Sequence, residues 1–399
     1  MRTSEASRQF VEPKIALALS GGGSRAMAFH LGCLRALNET GLLSRVSVIS
    51  SVSGGSVLAA LYCSEPGDFS DFERKVREAL ARGFVWPALM TALTTSEGLK
   101  AVVAVSLLAV DRLTALVVRL ILKVSRIPIG RNCKWLSRSP LRRYASRTTI
   151  LRRTFSELFG GRKLPELRLD RPRLIIVACE LRAKAAFYFT AERLHCWRYG
   201  SADSSNVEIA HAVTASASYP LALPALDERM AFEKEGETIV RRVTLTDGGV
   251  YDNMALAPLW PDRDPQISLD VGKFNRIIAC RAGYGLEISD PASFMPSRMN
   301  AAFESIFARA QNLTIARLFD LKSAGRVENI LLPYLGQDDR RLAVPPEDPI
   351  TQESVAGYPT DFSAMPDEWI DRLSRRGEQL VHALLAEHWL GDIPAKGDI

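Results

Sequence analysis

The stretch IALALSGGGSR, residues 15–25, decides the fold that this sequence predicts. Its apolar first half is typical of a buried β-strand, and its three glycines are typical of a turn. The residues that follow, AMAFHLGCLRALNETGLL at 26–43, have the apolar spacing of a helix that ends near Gly41. Strand, glycine turn and helix together form one α/β unit.

A second unit of the same kind follows directly. Its strand is VSVIS at 46–50, its turn is SVSGGS at 51–56, and VLAALYCSE at 57–65 has helical composition. Two consecutive strand–turn–helix units predict an α/β sheet. Later apolar runs predict further strands, namely LIIVACEL from Leu174, AAFYFT from Ala185, VTLT before Asp247, IIAC from Ile277 and ENILLP from Glu328. A terminal helix is predicted from the spacing of Trp369, Ile370, Leu373, Leu380, Leu384 and Leu385.

The composition narrows the class of protein. The 399 residues are 47% hydrophobic and 24% charged, which is typical of a folded chain and excludes extensive disorder. The first thirteen residues, MRTSEASRQFVEP, are polar with both charge signs and do not predict a secretory signal. The six cysteines lie apart, without a CxxC pair or zinc-ligand spacing. Reduced thiols, no metal and a cytoplasmic location are therefore expected.

The net charge of +6 is unevenly distributed along the chain. Between Asp111 and Glu157 there are twelve Arg and Lys residues and no acid, whereas the rest of the chain has a net charge of −6. In the same region, between Phe84 and Arg153, the alternation of strands and helices stops. We interpret this basic segment as an insertion or cap.

Ser53 is the candidate nucleophile. It follows an apolar strand, and the small residues around it let the chain turn sharply while the hydroxyl stays accessible, as in a nucleophile elbow. The usual pattern is GxSxG; here Ser51 replaces the first glycine and Gly55 keeps the last. An ordinary strand-to-helix connection is the alternative explanation of the same residues.

The glycines Gly21, Gly22 and Gly23 form a candidate anion site. Without Cβ atoms, their N–H groups can approach a ligand closely, and a helix amino terminus follows them. The anion could be a phosphate or the oxyanion of a tetrahedral acyl intermediate. No lysine follows the glycines and Ala26 occupies the last position of GxGxxG, so the loop matches neither nucleotide-binding pattern.

Asp247 is the candidate general base. In TDGGVYDN, residues 246–253, it follows an apolar strand and precedes two glycines, which lets its carboxylate lie in an open turn at the end of the sheet. A serine nucleophile needs such a group to accept its proton. The five histidines, His30, His195, His211, His382 and His388, lie in no motif for that role, although a Ser-His-Asp triad stays possible on this evidence.

Four motifs occur in order along the chain: SGGGSRAMAFHLGCLRALNETGLL, SVSGGS, IAHAVTASASYPLALPAL and TDGGVYDN. In this combination the sequence resembles the patatin-like phospholipases over residues 15–62 and 208–253. The resemblance implies an α/β fold, a three-layer α/β/α sandwich around a central mixed sheet with a largely helical basic cap. It divides the chain into residues 1–83 and 173–335 as the two parts of the catalytic domain, 84–172 as the cap and 336–399 as a helical extension.

The resemblance also implies a function and a set of roles. The chain would be a serine lipid acyl hydrolase of phospholipase A or lysophospholipase type, without a cofactor, using a dyad of Ser53 and Asp247. An aspartate in a cleft with apolar walls has a raised pKa, which suits it to act as the base. The oxyanion hole would be formed by Gly21, Gly22 and Gly23 with Arg25 steadying the loop, and the two turns would be supported by Gly55, Gly248 and Gly249.

The apolar stretch LKAVVAVSLLAVDRLTALVVRLILKV, residues 99–124, raises the question of a membrane. A span needs about twenty uninterrupted apolar residues, and Asp111, Arg112 and Arg119 interrupt this one. On a helix one face would carry Arg112, Arg119, Lys123 and Arg126, a pattern that predicts peripheral docking on an anionic membrane. Packing against the core is the alternative, and nucleic acid is not expected, since few aromatic residues interleave with the basic ones.

Two other functions stay open at the level of sequence. The chain could be a catalytically weak membrane-binding or regulatory protein that keeps the fold, or a phosphate-binding or nucleotide-binding domain. Under the hydrolase hypothesis the partners are a phospholipid or other acyl-ester substrate and an anionic membrane surface, with peripheral membrane association in the cytoplasm. The sequence predicts no oligomeric state.

Overall fold

A computed structural model describes residues 14–124, 145–220, 222–264, 267–284 and 293–389. The strands are β1 Ile15–Leu19, β2 Val46–Val52, β3 Arg173–Glu180, β4 Ala185–Phe189, β5 Leu194–Cys196, β6 Gly200–Ala202, β7 Leu226–Lys234, β8 Glu237–Asp247, β9 Arg276–Cys280 and β10 Asn329–Leu331. The helices are α1 Gly23–Glu39, α2 Gly54–Ser64, α3 Phe69–Arg82, α4 Val85–Thr94, α5 Ser96–Val124, α6 Arg147–Leu158, α7 Ile209–Ser216, α8 Gly249–Asp252, α9 Met295–Ser323, α10 Gln352–Val355 and α11 Asp367–His388.

The described strands form one mixed sheet in the order β10-β9-β1-β2-β3-β4-β5-β6-β7-β8. The strands from β10 to β3 pair in parallel, and those from β3 to β8 pair antiparallel. The last strand, β8, also pairs antiparallel with β3, so the antiparallel part closes on itself. The α/β fold and the strands predicted from the apolar runs are confirmed.

Two strand ends meet along one edge of β3. On this edge β2 runs parallel to β3 and ends with Val52 opposite Val177. On the same edge β8 runs antiparallel to β3 and ends with Asp247 opposite Ala178. Because the two strands approach from opposite directions, their carboxyl ends face each other across one residue step of β3. This register brings the residue after β2 and the last residue of β8 together.

Helices cover both faces of the sheet. Leu17 and Leu19 of β1 pack in a core with α1, α2, α3 and α11. Ala16 and Ala18, which alternate with them, pack on the opposite face with residues 254–271 and the end of α9. A strand buried on both faces is a nearly continuous apolar run, which is what β1 is in sequence. The three-layer α/β/α arrangement is thus confirmed.

The contact between α1 and α11 is unusually close. A Cβ atom added at Gly32 would lie 1.7 Å from the carbonyl oxygen of Ser374, and one added at Gly377 would lie 2.2 Å from that of Phe29. Only glycine fits at either position, because the two backbones are nearly in contact. The predicted terminal helix therefore holds α1 in place on the sheet.

The basic segment is helical where it is described. A bent pair of helices, Val85–Thr94 with Ser96–Val110, has the length and composition of a broken span, with an angle of 85° between the two; within the described residues no single helix is long and apolar enough to cross a membrane. Further along, Leu151 and Phe155 of α6 lie in the same core as α1. The limits of the cap at residues 84–172 stay a prediction.

Several elements were not predicted from the sequence. The strands β5, β6 and β7 are short or largely exposed, so their residues lack an apolar run. The helix α9 is long, but it buries few residues, and large apolar side chains such as Met299, Ile306 and Leu313 are exposed. Periodicity predicts elements with a buried face, and these elements have little buried surface.

Candidate active site

Ser53 lies at a sharp turn between β2 and α2. Its backbone has φ 54° and ψ −124°, a left-handed conformation that non-glycine residues rarely adopt. Such strain persists only where surrounding structure enforces it, and it is a feature of nucleophile elbows. The residue is 8% exposed, so the hydroxyl lies in a nearly closed site.

The glycines around Ser53 permit close packing of the elbow on the glycine loop. A Cβ atom at Gly54 would lie 2.1 Å from the carbonyl oxygen of Gly23, and one at Gly55 would lie 2.6 Å from that of Leu19. The elbow is therefore in direct backbone contact with the loop that precedes α1. Ser51, in contrast, is part of β2, where its hydroxyl donates to the carbonyl oxygen of Ile175 at 3.3 Å.

Ser216 fixes the elbow from the end of α7. Its hydroxyl oxygen accepts a 2.9 Å hydrogen bond from the backbone N–H of Ser53 and donates one of 2.6 Å to the carbonyl oxygen of Val177. The Ser56 hydroxyl lies 2.9 Å from the same oxygen. Ser216 is fully buried, so these bonds are shielded from water. Sequence reasoning missed this role, although Ser216 lies in the motif IAHAVTASASYPLALPAL.

The glycine loop presents free N–H groups at the amino terminus of α1. The N–H of Gly21 donates to the carbonyl oxygen of Asn253 at 3.1 Å, and that of Ser24 donates to Asp361 at 2.8 Å. Between them, the N–H groups of Gly22 and Gly23 donate to no acceptor in the part of the chain that the structure describes. Gly22 and Gly23 have φ 143° and 59°. Their N–H groups and the helix dipole suit an anion.

Arg25 holds the loop from outside. Its guanidinium donates to the carbonyl oxygens of Ala282 at 3.0 Å and Tyr358 at 3.1 Å, and it lies 4.5 Å from the ring centre of Tyr284. These contacts join the first turn of α1 to the segments after β9 and α10. They fit the expectation that Arg25 steadies the loop.

Asp247 is the last residue of β8, and hydrogen bonds with the backbone hold it in the turn that follows. Its carboxylate accepts a 2.7 Å hydrogen bond from the N–H of Gly249, and its own N–H donates to the carbonyl oxygen of Ser218. Burial raises the pKa of Asp247 to about 7, and hydrogen bonds from Gly249 and from the Ser53 side chain oppose part of this rise. The Ser53 side chain thus lies close enough to the Asp247 carboxyl to affect its pKa.

The turn after Asp247 also touches the glycine loop. A Cβ atom at Gly248 would lie 2.1 Å from the carbonyl oxygen of Val177, and one at Gly249 would lie 2.7 Å from Oδ1 of Asn253. The same Oδ1 atom would lie 2.4 Å from a Cβ atom at Gly21. Asn253 therefore lies between the two turns and was not singled out from the sequence, although it ends the motif TDGGVYDN.

The histidines have other partners. Nε2 of His30 is bonded to the carbonyl oxygen of Ser20 and that of His195 to Ile267. His211, His382 and His388 lie beside glutamates. Within the described residues, none of the five is hydrogen-bonded to Ser53 or Asp247. Among the described residues, these contacts give no support to a Ser-His-Asp triad.

The basic residues of the cap are far from this cluster in sequence. Arg112, Arg119 and Lys123 lie within α5. Arg126 lies outside the described residues, as do Cys133 and the first thirteen residues. Along α4 and the first half of α5 many large apolar side chains are exposed, including Trp86, Leu93 and Leu99 at 64–70%.

A model of one protein family, described as patatin-like phospholipase, matches residues 17–260 of this chain. The chain belongs to the patatin-like phospholipase family. The match includes every residue of the cluster built from Gly21–Gly23, Ser53 and Asp247. A search of curated protein sequences found no match.

Several solved structures are similar to this chain at low sequence identity. Human GIVD cytosolic phospholipase A2 has a TM-score of 0.54 and 13% identity, covering 94% of this chain and 59% of that chain. VipD from Legionella pneumophila has a TM-score of 0.38 and 15% identity, with coverages of 94% and 67%. The type III effector ExoU has a TM-score of 0.32 and 14% identity, with coverages of 94% and 53%. The patatin-like chain spans about 59% of the length of the human enzyme.

Proposed function

We propose that this chain hydrolyses acyl esters of membrane lipids with a Ser53–Asp247 dyad, as a phospholipase A or lysophospholipase. The proposal depends on one observation: the strained serine follows β2 at the point where β8 ends in Asp247, a buried carboxyl group with a pKa of about 7, beside a glycine loop with N–H groups that have no acceptor among the described residues. A base with a pKa close to neutrality is about half ionised at pH 7. Its ionised form can then accept a proton from a serine more readily than an ordinary aspartate can.

In the first step Asp247 accepts the proton of Ser53 while Oγ attacks the ester carbonyl carbon. The N–H groups of Gly22 and Gly23 bind the oxyanion that forms, since they have no acceptor among the described residues and lie at a helix amino terminus. When the tetrahedral intermediate collapses, the C–O bond to the alcohol breaks, and the alcohol takes the proton from Asp247. The product is an acyl-enzyme on Ser53.

In the second step a water molecule replaces the alcohol. Asp247 accepts a proton from this water, whose oxygen attacks the acyl carbon and displaces Ser53. The serine recovers its proton from Asp247, and the fatty acid leaves. Every reacting group in these two steps belongs to the chain, the lipid substrate or water. Gly21, Arg25, Gly55, Gly248 and Gly249 serve as supports, through the close contacts described for each of them.

The partner surface is an anionic lipid membrane, and α4 and α5 form the docking region. An exposed helix pair that is rich in Leu and Val and carries Trp86 can enter the lipid interface. The excess of twelve basic residues in 112–156 adds electrostatic attraction, with about 1 kcal/mol for each positive side chain near the surface. Arg112, Arg119, Lys123 and Arg126 are the proposed membrane contacts.

The dyad is tested with a fluorophosphonate probe and with fatty acid release from mixed liposomes. We expect Ser53→Ala to lose both labelling and release, and Asp247→Asn to lose release, with the folded state verified by circular dichroism. Ser50→Ala is the matched control, because Ser50 is a buried serine of β2, the strand that precedes Ser53, and its hydroxyl has no partner among the described residues. Release by folded Ser53→Ala at the wild-type rate would refute the proposal, and liposome binding without release by the wild type would favour a regulatory protein.

The membrane contact is tested by co-sedimentation with neutral and anionic vesicles. Replacing Trp86, Leu93 and Leu99 with Gln, or the four basic residues with Gln, should weaken binding to anionic vesicles at least about tenfold. The control is Leu169→Gln, since Leu169 is fully exposed elsewhere in the chain. Equal binding by all these variants would show that another surface docks.

A further inference from the structure

Three side chains from distant positions meet behind the glycine loop. His30 and Cys33 lie one turn apart on α1, so both project from the same side of the helix. Cys280 ends β9, opposite Leu19 of β1. One ring nitrogen and two sulfur atoms lie within 4.8 Å of one another, and all three side chains are fully buried. The sequence predicted no metal, because the third residue is about 250 positions from the other two.

The imidazole of His30 has a defined orientation. Nε2 lies 3.0 Å from the carbonyl oxygen of Ser20, and since a carbonyl can only accept, Nε2 carries the proton. Nδ1 then bears a lone pair, and this buried atom has no hydrogen-bond partner among the described residues. Histidines that bind metals generally donate their second ring nitrogen to a carbonyl or carboxylate in this way. A buried acceptor without a hydrogen-bond partner among the described residues, on a ring that lies close to two thiols, indicates a ligand.

We propose that His30, Cys33 and Cys280 bind one Zn²⁺ ion that links α1 to the end of β9. Nitrogen and sulfur ligands suit zinc, whereas Mg²⁺ and Ca²⁺ require oxygen ligands. Two thiolates and a neutral imidazole give a complex with zero net charge, which is the favourable case in a dry interior. The same ligands with Cu⁺ would leave a buried negative charge. Of these ions, zinc therefore fits the three donors best, and the fourth position of its tetrahedron is left to a water molecule.

The geometry requires a small closure and the release of two protons. Zinc bond lengths place ligand atoms about 3.5–3.8 Å apart, so the three atoms, which lie within 4.8 Å of one another, need to approach by no more than roughly 1 Å. Both S–H bonds break, the two Zn–S bonds form, and the protons pass to solvent. The thiol of Cys33 gives up a long 3.7 Å contact with the carbonyl oxygen of Gly377 and its hydrogen bond with the thiol of Cys280. No large rearrangement of α1 or β9 is needed.

The ion acts on the loop through His30. Its imidazole holds the carbonyl of Ser20, the residue directly before Gly21. The N–H of Ser20 in turn donates to the carbonyl oxygen of Cys280 at 3.1 Å. A metal on His30 and Cys280 would therefore fix both sides of the residue where β1 passes into the glycine loop. This site is independent of the proposed hydrolysis and would exist in an inactive Ser53→Ala protein.

The site is tested by measuring metal in the full chain, purified without a histidine tag from zinc-replete medium. We expect about one zinc per wild-type chain by mass spectrometry and less than a tenth of that in Cys33→Ser/Cys280→Ser. Cys63→Ser is the control, because Cys63 is a buried thiol outside the cluster and should leave the zinc content unchanged. Equal zinc content in the wild type and the double variant would overturn the proposal.

A second measurement does not depend on variants that fold. Because the site is closed, the wild-type chain is unfolded, stripped of metal and refolded with Co²⁺ in place of Zn²⁺. Thiolate ligation of Co²⁺ is expected to produce a charge-transfer absorption in the near ultraviolet that Zn²⁺ abolishes in competition. Absence of this band, copper in place of zinc in the purified chain, or a Cys33–Cys280 disulfide that leaves no free thiols there would each refute the zinc site.

Discussion

The left-handed backbone of Ser53 has a measurable effect on stability. A residue with a Cβ atom in such a conformation costs about 1–3 kcal/mol, and glycine adopts it without this strain. We predict that Ser53→Gly has a free energy of unfolding about 1 kcal/mol higher than Ser53→Ala, although both are inactive. Urea unfolding measures the difference. At Ser50, which lies within β2, the Gly variant should instead be less stable than the Ala variant. If the Gly variant were the more stable one at both positions, the assignment of strain to Ser53 would be contradicted.

The pKa of Asp247 predicts the pH dependence of activity. The base must be ionised to accept a proton, and burial raises its pKa from 3.8 to about 7. We therefore expect kcat/KM to be constant above pH 7 and to fall about tenfold per pH unit well below it. A short soluble ester is the appropriate substrate, because it separates the chemistry from membrane binding. A profile that stays flat down to pH 5 would exclude this carboxylate as the base.

The same raised pKa predicts that Asp247 makes the protein less stable as pH rises. Most acidic residues have the opposite effect, because folding lowers their pKa. Between pH 3.8 and about 7 the folded chain retains a proton on Asp247 that the unfolded chain has lost, so the free energy of unfolding decreases as pH rises. The full effect is about 4 kcal/mol. Asp247→Asn lacks this titration, and its stability relative to wild type should increase from pH 4 to pH 8. Parallel curves in urea unfolding would contradict the raised pKa.

At the level of elements, Ser216 joins α7 to the elbow and to β3. In Ser216→Ala the buried N–H of Ser53 loses its acceptor, which costs about 1–3 kcal/mol, and the elbow loses a fixed point. We predict this loss in the free energy of unfolding together with a kcat reduced about tenfold or more. The matched change is Ser51→Ala, which removes a hydroxyl on β2 without leaving an N–H unpaired. An equal effect of both changes would argue against a specific role of Ser216 in holding the elbow.

The sequence predicted the elements that carry local signals. The strands β1 and β2 are apolar runs, and Gly21–Gly23, Gly54 and Gly55 mark the two turns that follow them. The pairing of β8 with β3 has no such signal, because a register between strands separated by some seventy residues depends on tertiary contacts. For this reason Ser53 and Asp247 could be named separately, whereas their contact came from the family resemblance. The tethers Ser216 and Asn253 lay inside quoted motifs without a distinguishing pattern.

At the level of the whole molecule, α11 supports the site from a distance. The glycines at the crossing of α1 and α11 allow the two backbones to touch, and α1 carries Gly23 as its first residue. Gly377→Ala places a methyl group 2.2 Å from the carbonyl oxygen of Phe29 and forces the helices apart. We predict a loss of about 2–4 kcal/mol in the free energy of unfolding and reduced kcat, measured on the same preparation.

The control for this change is Gly160→Ala. Gly160 has φ 62° with no atom near its Cβ position, so the substitution adds backbone strain of about 1 kcal/mol without a clash. Loss of stability at residue 377 no greater than at residue 160 would mean that α1 and α11 can separate freely. Neither this crossing nor the cluster of His30, Cys33 and Cys280 follows from local patterns, since each joins positions hundreds of residues apart.

The head-to-head meeting of β2 and β8 on β3 has a consequence for how such chains can diverge. The distance between the end of β2, directly before Ser53, and Asp247 is set by one residue step of β3, about 3.3 Å. It does not depend on the length of the polypeptide that connects them. Insertions, deletions or whole added modules between residues 53 and 247 do not change this spacing as long as β3 keeps its pairing with β2 and β8. Natural variation in substrate preference can accumulate in the connecting segments while the reaction geometry is inherited unchanged.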